Sequence, residues 1–122
     1  MTAFDRFTLP VIFVAGLVGA AGVALAAAGA HLGGALIGPA STMCLAHAPA
    51  MLALAALSSA RLRTAIPSAL LLGIGTLLFS GDLTFKQFYG ESLFPMAAPT
   101  GGMMVIIGWL VAAVGVFLPP RT

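Results

Sequence analysis

Long apolar segments follow one another along this chain, separated by short polar stretches. Residues 7–60, 64–81 and 92–120 contain no aspartate, glutamate, lysine or arginine, and His31 divides the first stretch into 7–30 and 32–60, which gives four apolar segments. A helix needs about 20 apolar residues to cross a bilayer core about 30 Å thick. The pattern therefore predicts four transmembrane helices, near residues 8–30, 41–60, 66–86 and 97–118.

Glycine and proline mark the predicted ends of these helices. Gly38 and Pro39 interrupt the second apolar segment, and Ser41 or Thr42 can then cap a helix. Backbone groups in lipid must bond to one another, which requires helices. Because the connectors are short, neighbouring helices run antiparallel. The sequence predicts an all-α, up-down four-helix transmembrane bundle that forms a single domain, residues 1–122.

Composition supports a membrane location. Hydrophobic residues make up 61% of the chain and charged residues 7%, with a mean hydropathy of +1.14. Soluble domains carry about 25% charged residues, so a water-soluble globule of this composition could not cover its surface. The net charge of +2 arises from few, dispersed basic residues, which excludes a nucleic-acid interface. Arg6 and the ALA sequence at 24–26 resemble a secretory signal, but the apolar run is too long for a signal core.

All the arginines fall on one predicted side of the membrane. Arg6 precedes helix 1, Arg61 and Arg63 lie between helices 2 and 3, and Arg121 follows helix 4. Lys86 lies toward the opposite side. Positively charged loops favour the cytoplasmic side, so we expect both termini in the cytoplasm.

Small residues recur every seven positions in two of the predicted helices. The series are Ala15, Gly22 and Gly29, then Gly19, Ala26 and Gly33 in helix 1, and Gly101, Gly108 and Gly115 in helix 4. Such stripes let helix backbones approach closely, and this packing is a main source of stability in lipid. We expect helix 1 to pack on helix 4 or helix 2 through them. The alternative is oligomerisation or docking on another membrane protein, in which case Gly22→Leu disrupts assembly without disrupting folding.

Polar side chains inside the predicted spans are expected to form one cluster. Asp82 lies about 22 Å along helix 3, and His47 about 8 Å along the oppositely directed helix 2, at a similar depth. An unpaired carboxylate in lipid is costly, so we predict that His47 and Asp82 meet. Lys86 follows Asp82 by one turn and can pair with it. His31 and Thr100 reach the same level, and the cluster either fixes helix register or forms a functional site.

The remaining polar residues give no recognised chemical motif. Cys44 and His47 could share a metal, but two ligands do not make a site. Nothing in the sequence supports a haem between His31 and His47. Trp109 falls near mid-membrane, and we expect it to pack in the bundle. No nucleophile–base set, phosphate-binding loop or zinc motif occurs, so we expect neither an enzymatic activity nor a cofactor.

Four motifs occur in an order that resembles a known family. They are GAH at 29–31, His47 within LAHAPAMLALA, FSGDL at 79–83, and PTGG at 99–102 followed by IGWL. Together they resemble the domain of unknown function 423 family of small membrane proteins, which includes the eukaryotic transmembrane protein 256. The positions that the resemblance marks are His31, His47, Ser80, Gly81, Asp82, Pro99, Gly101, Gly102 and Trp109.

The resemblance covers nearly the whole chain and has limited functional content. This chain departs from the family pattern at residues 27–28 and at Ala46. Members of the family usually carry an aromatic residue there, beside the histidine motifs. The resemblance implies a multi-pass protein of the bacterial inner membrane without a settled activity.

Three classes of function remain. The favoured prediction is a non-catalytic accessory, assembly or interaction subunit that binds another membrane protein, or itself, through its small-residue helix faces. The alternative is an oligomeric transporter of a small solute, a proton or an ion, with His47, Asp82 and Thr100 along its path. The polar groups stop in the outer half of the predicted bundle, which argues against a path through one copy. An enzyme or redox carrier ranks last.

Overall fold

A computed structural model describes residues 3–120 of the protein, without the side chains of residues 3–5, 58 and 59. It contains the helices α1 (Ala3–Leu32), α2 (Ile37–Arg61), α3 (Ala65–Tyr89) and α4 (Ala97–Val114), then a 3₁₀ turn at Gly115–Phe117. No strand occurs in this part of the chain. All four helices are long and apolar enough to cross a membrane. The predicted all-α four-helix architecture is confirmed.

The first two helices begin earlier than predicted, α1 at Ala3 and α2 at Ile37, and the start of α2 changes the depth of its polar side chains. α2 begins at Ile37 rather than at residue 41, because Gly38 and Pro39 form its first turn instead of preceding it. Proline is tolerated there, since the first N–H groups of a helix have no partner within the helix. The N–H of Ala40 binds the Leu36 carbonyl at 3.2 Å, which closes this first turn. Every later residue of α2 therefore lies about 6 Å farther from the helix start than predicted.

The helices alternate in direction, so the connectors divide between two ends of the bundle. The α1–α2 and α3–α4 connectors, residues 33–36 and 90–96, lie at what we call the upper end. The α2–α3 connector, residues 62–64, lies at the lower end. The side chains of Arg6, Arg61 and Arg63 are exposed, whereas Arg121 lies outside the described residues.

Consecutive helices form the main interfaces. α2 and α3 occupy the centre, α1 packs on α2 and more weakly on α3, and α4 packs on α3. No comparable interface joins α1 to α4 within residues 3–120. The larger core cluster combines side chains of all four helices, including Val11, Ala15, Met51, Leu54, Ala69, Leu72 and Val105.

The glycines of the two stripes lie against neighbouring elements of the same chain. A Cβ atom on Gly22 would lie 2.9 Å from the Leu45 side chain of α2, and one on Gly29 would lie 3.3 Å from Ile37. The stripe of α1 thus meets α2, one of its two expected partners, and not α4.

The stripe of α4 faces α3 and the connector below it. A Cβ atom on Gly101 would lie 2.6 Å from the Gly75 carbonyl oxygen, and one on Gly108 would lie 2.9 Å from Leu72. Gly115 lies against Leu62 in the α2–α3 connector. At these positions only glycine allows so close an approach of the two backbones.

Candidate functional site

Asp82 binds the backbone of the α3–α4 connector and of α4. Its side chain is 3% exposed. One carboxylate oxygen accepts a hydrogen bond from the Leu93 N–H at 2.7 Å, and the other accepts one from the Ala98 N–H at 3.2 Å. Ala98 is the second residue of α4. A side chain of α3 therefore caps the N-terminus of α4.

This cap completes the hydrogen bonding of the first turn of α4. The Ala97 N–H binds the Phe94 carbonyl at 3.2 Å, and the Thr100 N–H binds the Met96 carbonyl at 2.9 Å. Pro99 has no N–H, so Ala98 supplies the remaining donor. A negative charge is also favourable beside the positive end of a helix dipole. The carboxylate inside the apolar sequence FSGDLTF is thus explained by backbone groups rather than by a charged partner.

The predicted pair of Asp82 and Lys86 does not form. Lys86 is exposed, and no ion pair joins it to Asp82 in the described part of the chain. The reason is that the carboxylate turns toward α4, where two N–H groups hold it. Thr100 lies in the first turn of α4 and is exposed, and it is not among the hydrogen-bond partners of Asp82.

His47, which is buried, forms a second polar contact, between α2 and α4. Its Nδ1 atom lies 2.8 Å from the Met43 carbonyl oxygen, and its Nε2 atom lies 3.1 Å from Nε1 of Trp109. The two rings are tilted by 60° with centroids 5.8 Å apart. An indole N–H only donates, so Nε2 accepts and Nδ1 carries the proton that is donated to Met43. These partners fit a neutral imidazole in a single tautomer.

The structure corrects the predicted contact between His47 and Asp82. Each side chain has other partners, and no hydrogen bond or ion pair joins the two among the described residues. Because α2 begins at Ile37, His47 lies about 15 Å from the upper start of its helix rather than about 8 Å. Trp109 lies about 18 Å along α4, at a matching depth. The polar groups therefore occupy two levels, not one layer.

His31 takes no part in either contact. It is exposed, and it lies one residue before the upper end of α1. Cys44 is buried three residues before His47, but both nitrogens of His47 are already bonded. No group of three or more metal-binding side chains occurs among the described residues.

Serine hydroxyls connect each pair of consecutive helices, a feature that the sequence analysis did not identify. Ser41 of α2 donates to the Gly22 carbonyl at 2.8 Å, Ser80 of α3 to Ala40 at 2.8 Å, and Ser68 of α3 to Gly108 at 2.7 Å. Two of these acceptors belong to stripe glycines, where the absent side chain leaves the carbonyl accessible. A serine opposite a small residue within an apolar segment is the signal that could have predicted them.

Comparisons with known proteins identify a family but no characterised relative. A profile of the family described as "Protein of unknown function (DUF423)" matches residues 25–102. No curated protein matches the chain, and no solved structure does. The matched range includes His31, His47 and Asp82 but ends before Trp109. The match spans more than half of the sequence, and the chain therefore belongs to the DUF423 family, whose function is unknown.

Proposed function

We propose that this chain is a non-catalytic accessory or interaction subunit that binds another membrane protein, or a second copy of itself, within the plane of the bilayer. The binding surface is the side of α4 that faces away from α3. The small-residue faces are already occupied inside the bundle, so the partner does not use them. Residues on the proposed surface are Met103, Ile106, Trp109, Leu110 and Val114.

Trp109 is the observation that carries this proposal. Its side chain is 48% exposed although it lies near mid-membrane, whereas tryptophan in membrane proteins concentrates at the two interfaces with water. The bond to His47 satisfies its N–H and holds the ring in one orientation. Large, rigid aromatic side chains of this kind supply much of the energy of protein–protein contacts.

The low burial of α4 also supports a lateral partner. Only 22% of the residues in its most apolar stretch are buried, the same share as in α1 and less than the 44% of α2 and the 50% of α3. α3 is the main neighbour of α4, α2 reaches it through His47, and the side of α4 opposite α3 is free to pack. A second helix would complete its surroundings without rearranging the bundle.

The geometry favours binding over transport. A path for ions or solutes needs polar groups along the full depth of the membrane. His47 and Asp82 lie at different levels, and the polar atoms of both have partners within the protein. Nothing in the described bundle joins the two into a continuous polar path.

We place the protein in the bacterial inner membrane with both termini in the cytoplasm. The exposed arginines Arg6, Arg61 and Arg63 at the lower end support this orientation. Reporter domains fused to the C-terminus that are active only outside the cytoplasm would contradict it.

The proposal can be tested by photo-crosslinking in intact cells at native expression. The crosslinking residue p-benzoyl-phenylalanine replaces Leu110, which is exposed, or Val105, which is 5% exposed and faces the core. We expect a discrete protein adduct from position 110 alone, weakened by Trp109→Ala. An adduct of twice the mass of the chain identifies a second copy as the partner.

Two results would contradict the proposal. One is a folded protein that yields no protein adduct from Leu110, Ile106 or Met103. The other is a solute or proton flux through purified protein in liposomes that His47→Leu abolishes.

A further inference from the structure

A groove opens between α1 and α3 in the upper half of the bundle. At the lower end the two helices approach, since a Cβ atom on Gly73 would lie 4.0 Å from Val14. Toward the upper end they separate and leave a cavity of about 610 Å³. Its walls include Ala21 and Ala24 of α1 and Gly81 and Phe88 of α3. Because this cavity lies within the membrane span and is open to the side, lipid molecules can reach it.

The walls of the groove are mostly apolar, and the serine and threonine hydroxyl groups in them already have hydrogen-bond acceptors within the protein. The two aliphatic hydroxyl groups of α3 in the wall donate within the protein, Ser80 to the Ala40 carbonyl at 2.8 Å and Thr84 to the Ser80 carbonyl at 2.7 Å. A ligand inside the groove therefore gains by burying hydrocarbon rather than by hydrogen bonding.

The size of the groove distinguishes between possible occupants. It extends along α3 from Leu77 to Tyr89, about 18 Å, which is close to the thickness of one leaflet of the hydrocarbon core. A helix about 10 Å wide would fill roughly 1400 Å³ over this length, which is more than the total empty space of about 1080 Å³ in the groove and its open side. A single hydrocarbon chain is narrower and can enter.

Polar side chains lie where the groove reaches the membrane surface. Tyr89 lines its upper end and is 73% exposed. His31 is also exposed and follows Ala24 by seven residues, so it lies two turns higher on the same side of α1. An imidazole and a phenol at this level are suited to the phosphate of a lipid headgroup.

We propose that this groove binds one acyl chain of a phospholipid, with the phosphate beside His31 and Tyr89. The inference does not depend on the proposed function, because the groove and the outward side of α4 are separate surfaces. A variant that no longer binds lipid should still crosslink from α4. A variant that no longer crosslinks from α4 should still bind lipid.

The test uses the purified full chain in liposomes that contain phosphatidylglycerol with a photoactivatable acyl chain. Gly81→Leu fills the groove, since a Cβ atom on Gly81 meets nothing within 4 Å. Gly16→Leu is the matched control, because Gly16 is equally open and lies outside the groove. Ala24→Leu fills the groove from the opposite wall. It serves as a second groove variant in case Gly81→Leu does not fold.

In the wild type we expect labelled peptides from residues 21–25 and 77–89. Labelling of these peptides should fall roughly tenfold in both groove variants, since excluding two methylene groups is enough for that change, and should be retained in Gly16→Leu. His31→Ala should weaken labelling by the phospholipid but not by a diacylglycerol with the same chains. Equal labelling of all exposed faces, unchanged labelling in Gly81→Leu and Ala24→Leu, or crosslinks between two copies through the groove would overturn the proposal.

Discussion

Removing one of the two acceptor oxygens of Asp82 should loosen α4 from the bundle. In Asp82→Asn the side chain keeps its shape, but an NH₂ group replaces one carboxylate oxygen. Either the Leu93 or the Ala98 N–H then loses its acceptor. A hydrogen bond to a charged group contributes about 1.5–3 kcal/mol, and we expect the free energy of unfolding to fall by about this amount.

Strain in the connector adds to this expectation. Met96, the residue before α4, has φ of 67°, a left-handed conformation that is unfavourable for a residue other than glycine. Such a residue costs about 1–2 kcal/mol and persists only where its surroundings hold it. The two bonds of Asp82 hold residues on both sides of Met96, so the variant should also lose order in residues 91–98.

Two measurements separate the local from the global effect. Unfolding in mixed micelles with increasing SDS can be followed by the fluorescence of Trp109, the only tryptophan, which lies on α4 itself. Hydrogen exchange of the Leu93 and Ala98 amides reports on the connector. Glu91→Gln is the matched control. It also removes one negative charge, but from an exposed position in the α3–α4 connector.

We expect Glu91→Gln to change stability by less than about 0.5 kcal/mol, as is usual for exposed sites. If Asp82→Asn behaves like this control in both measurements, the capping role assigned to Asp82 is wrong. If the variant is as stable as the wild type but lacks a cellular phenotype that the wild type supports, Asp82 has a functional role instead.

Two further predictions concern the contacts of α4. In a double-mutant cycle of His47→Leu and Trp109→Phe, we expect a coupling energy of about 0.6–1.7 kcal/mol, as for other polar contacts between transmembrane helices. SDS unfolding is followed here by circular dichroism, because Trp109→Phe removes the only tryptophan, and additive effects would show that the bond is not formed. Gly101→Ala should lower stability by about 1–3 kcal/mol, because its Cβ atom would lie 2.6 Å from the Gly75 carbonyl. Gly102→Ala is the control, since its Cβ atom would lie 3.7 Å from the nearest atom, and equal losses in both variants would contradict the close approach of α3 and α4.

The sequence predicted the helices well because each span is a long apolar segment between charged or glycine-rich residues. It failed for the partner of Asp82, since that partner is backbone N–H, a group that every residue except proline carries. The predicted depth of His47 was wrong for a different reason. Gly38 and Pro39 can precede a helix or form its first turn, and the sequence alone does not distinguish the two.

The small-residue stripes illustrate a third limit. A seven-residue period shows which side of a helix is narrow, but not which neighbour will meet it. Gly22 packs on α2 and Gly101 on α3, and the two stripes do not meet each other. The choice depends on the connectors, because a short connector brings consecutive helices together before any other pair can form.

α4 differs from the other helices in how it is attached. It packs mainly on α3, and three polar contacts reach it: Ser68 to the Gly108 carbonyl, Asp82 to the Ala98 N–H, and His47 of α2 to Trp109. Apolar side chains gain little by leaving lipid for protein, so hydrogen bonds and close backbone contact have to hold such a helix. Ala98 lies at the top of α4, whereas Gly108 and Trp109 are neighbouring residues about 15–17 Å farther along the helix, so the three contacts hold α4 at two levels. A helix held at these two levels presents a constant outward surface, as the proposed role of a binding subunit requires.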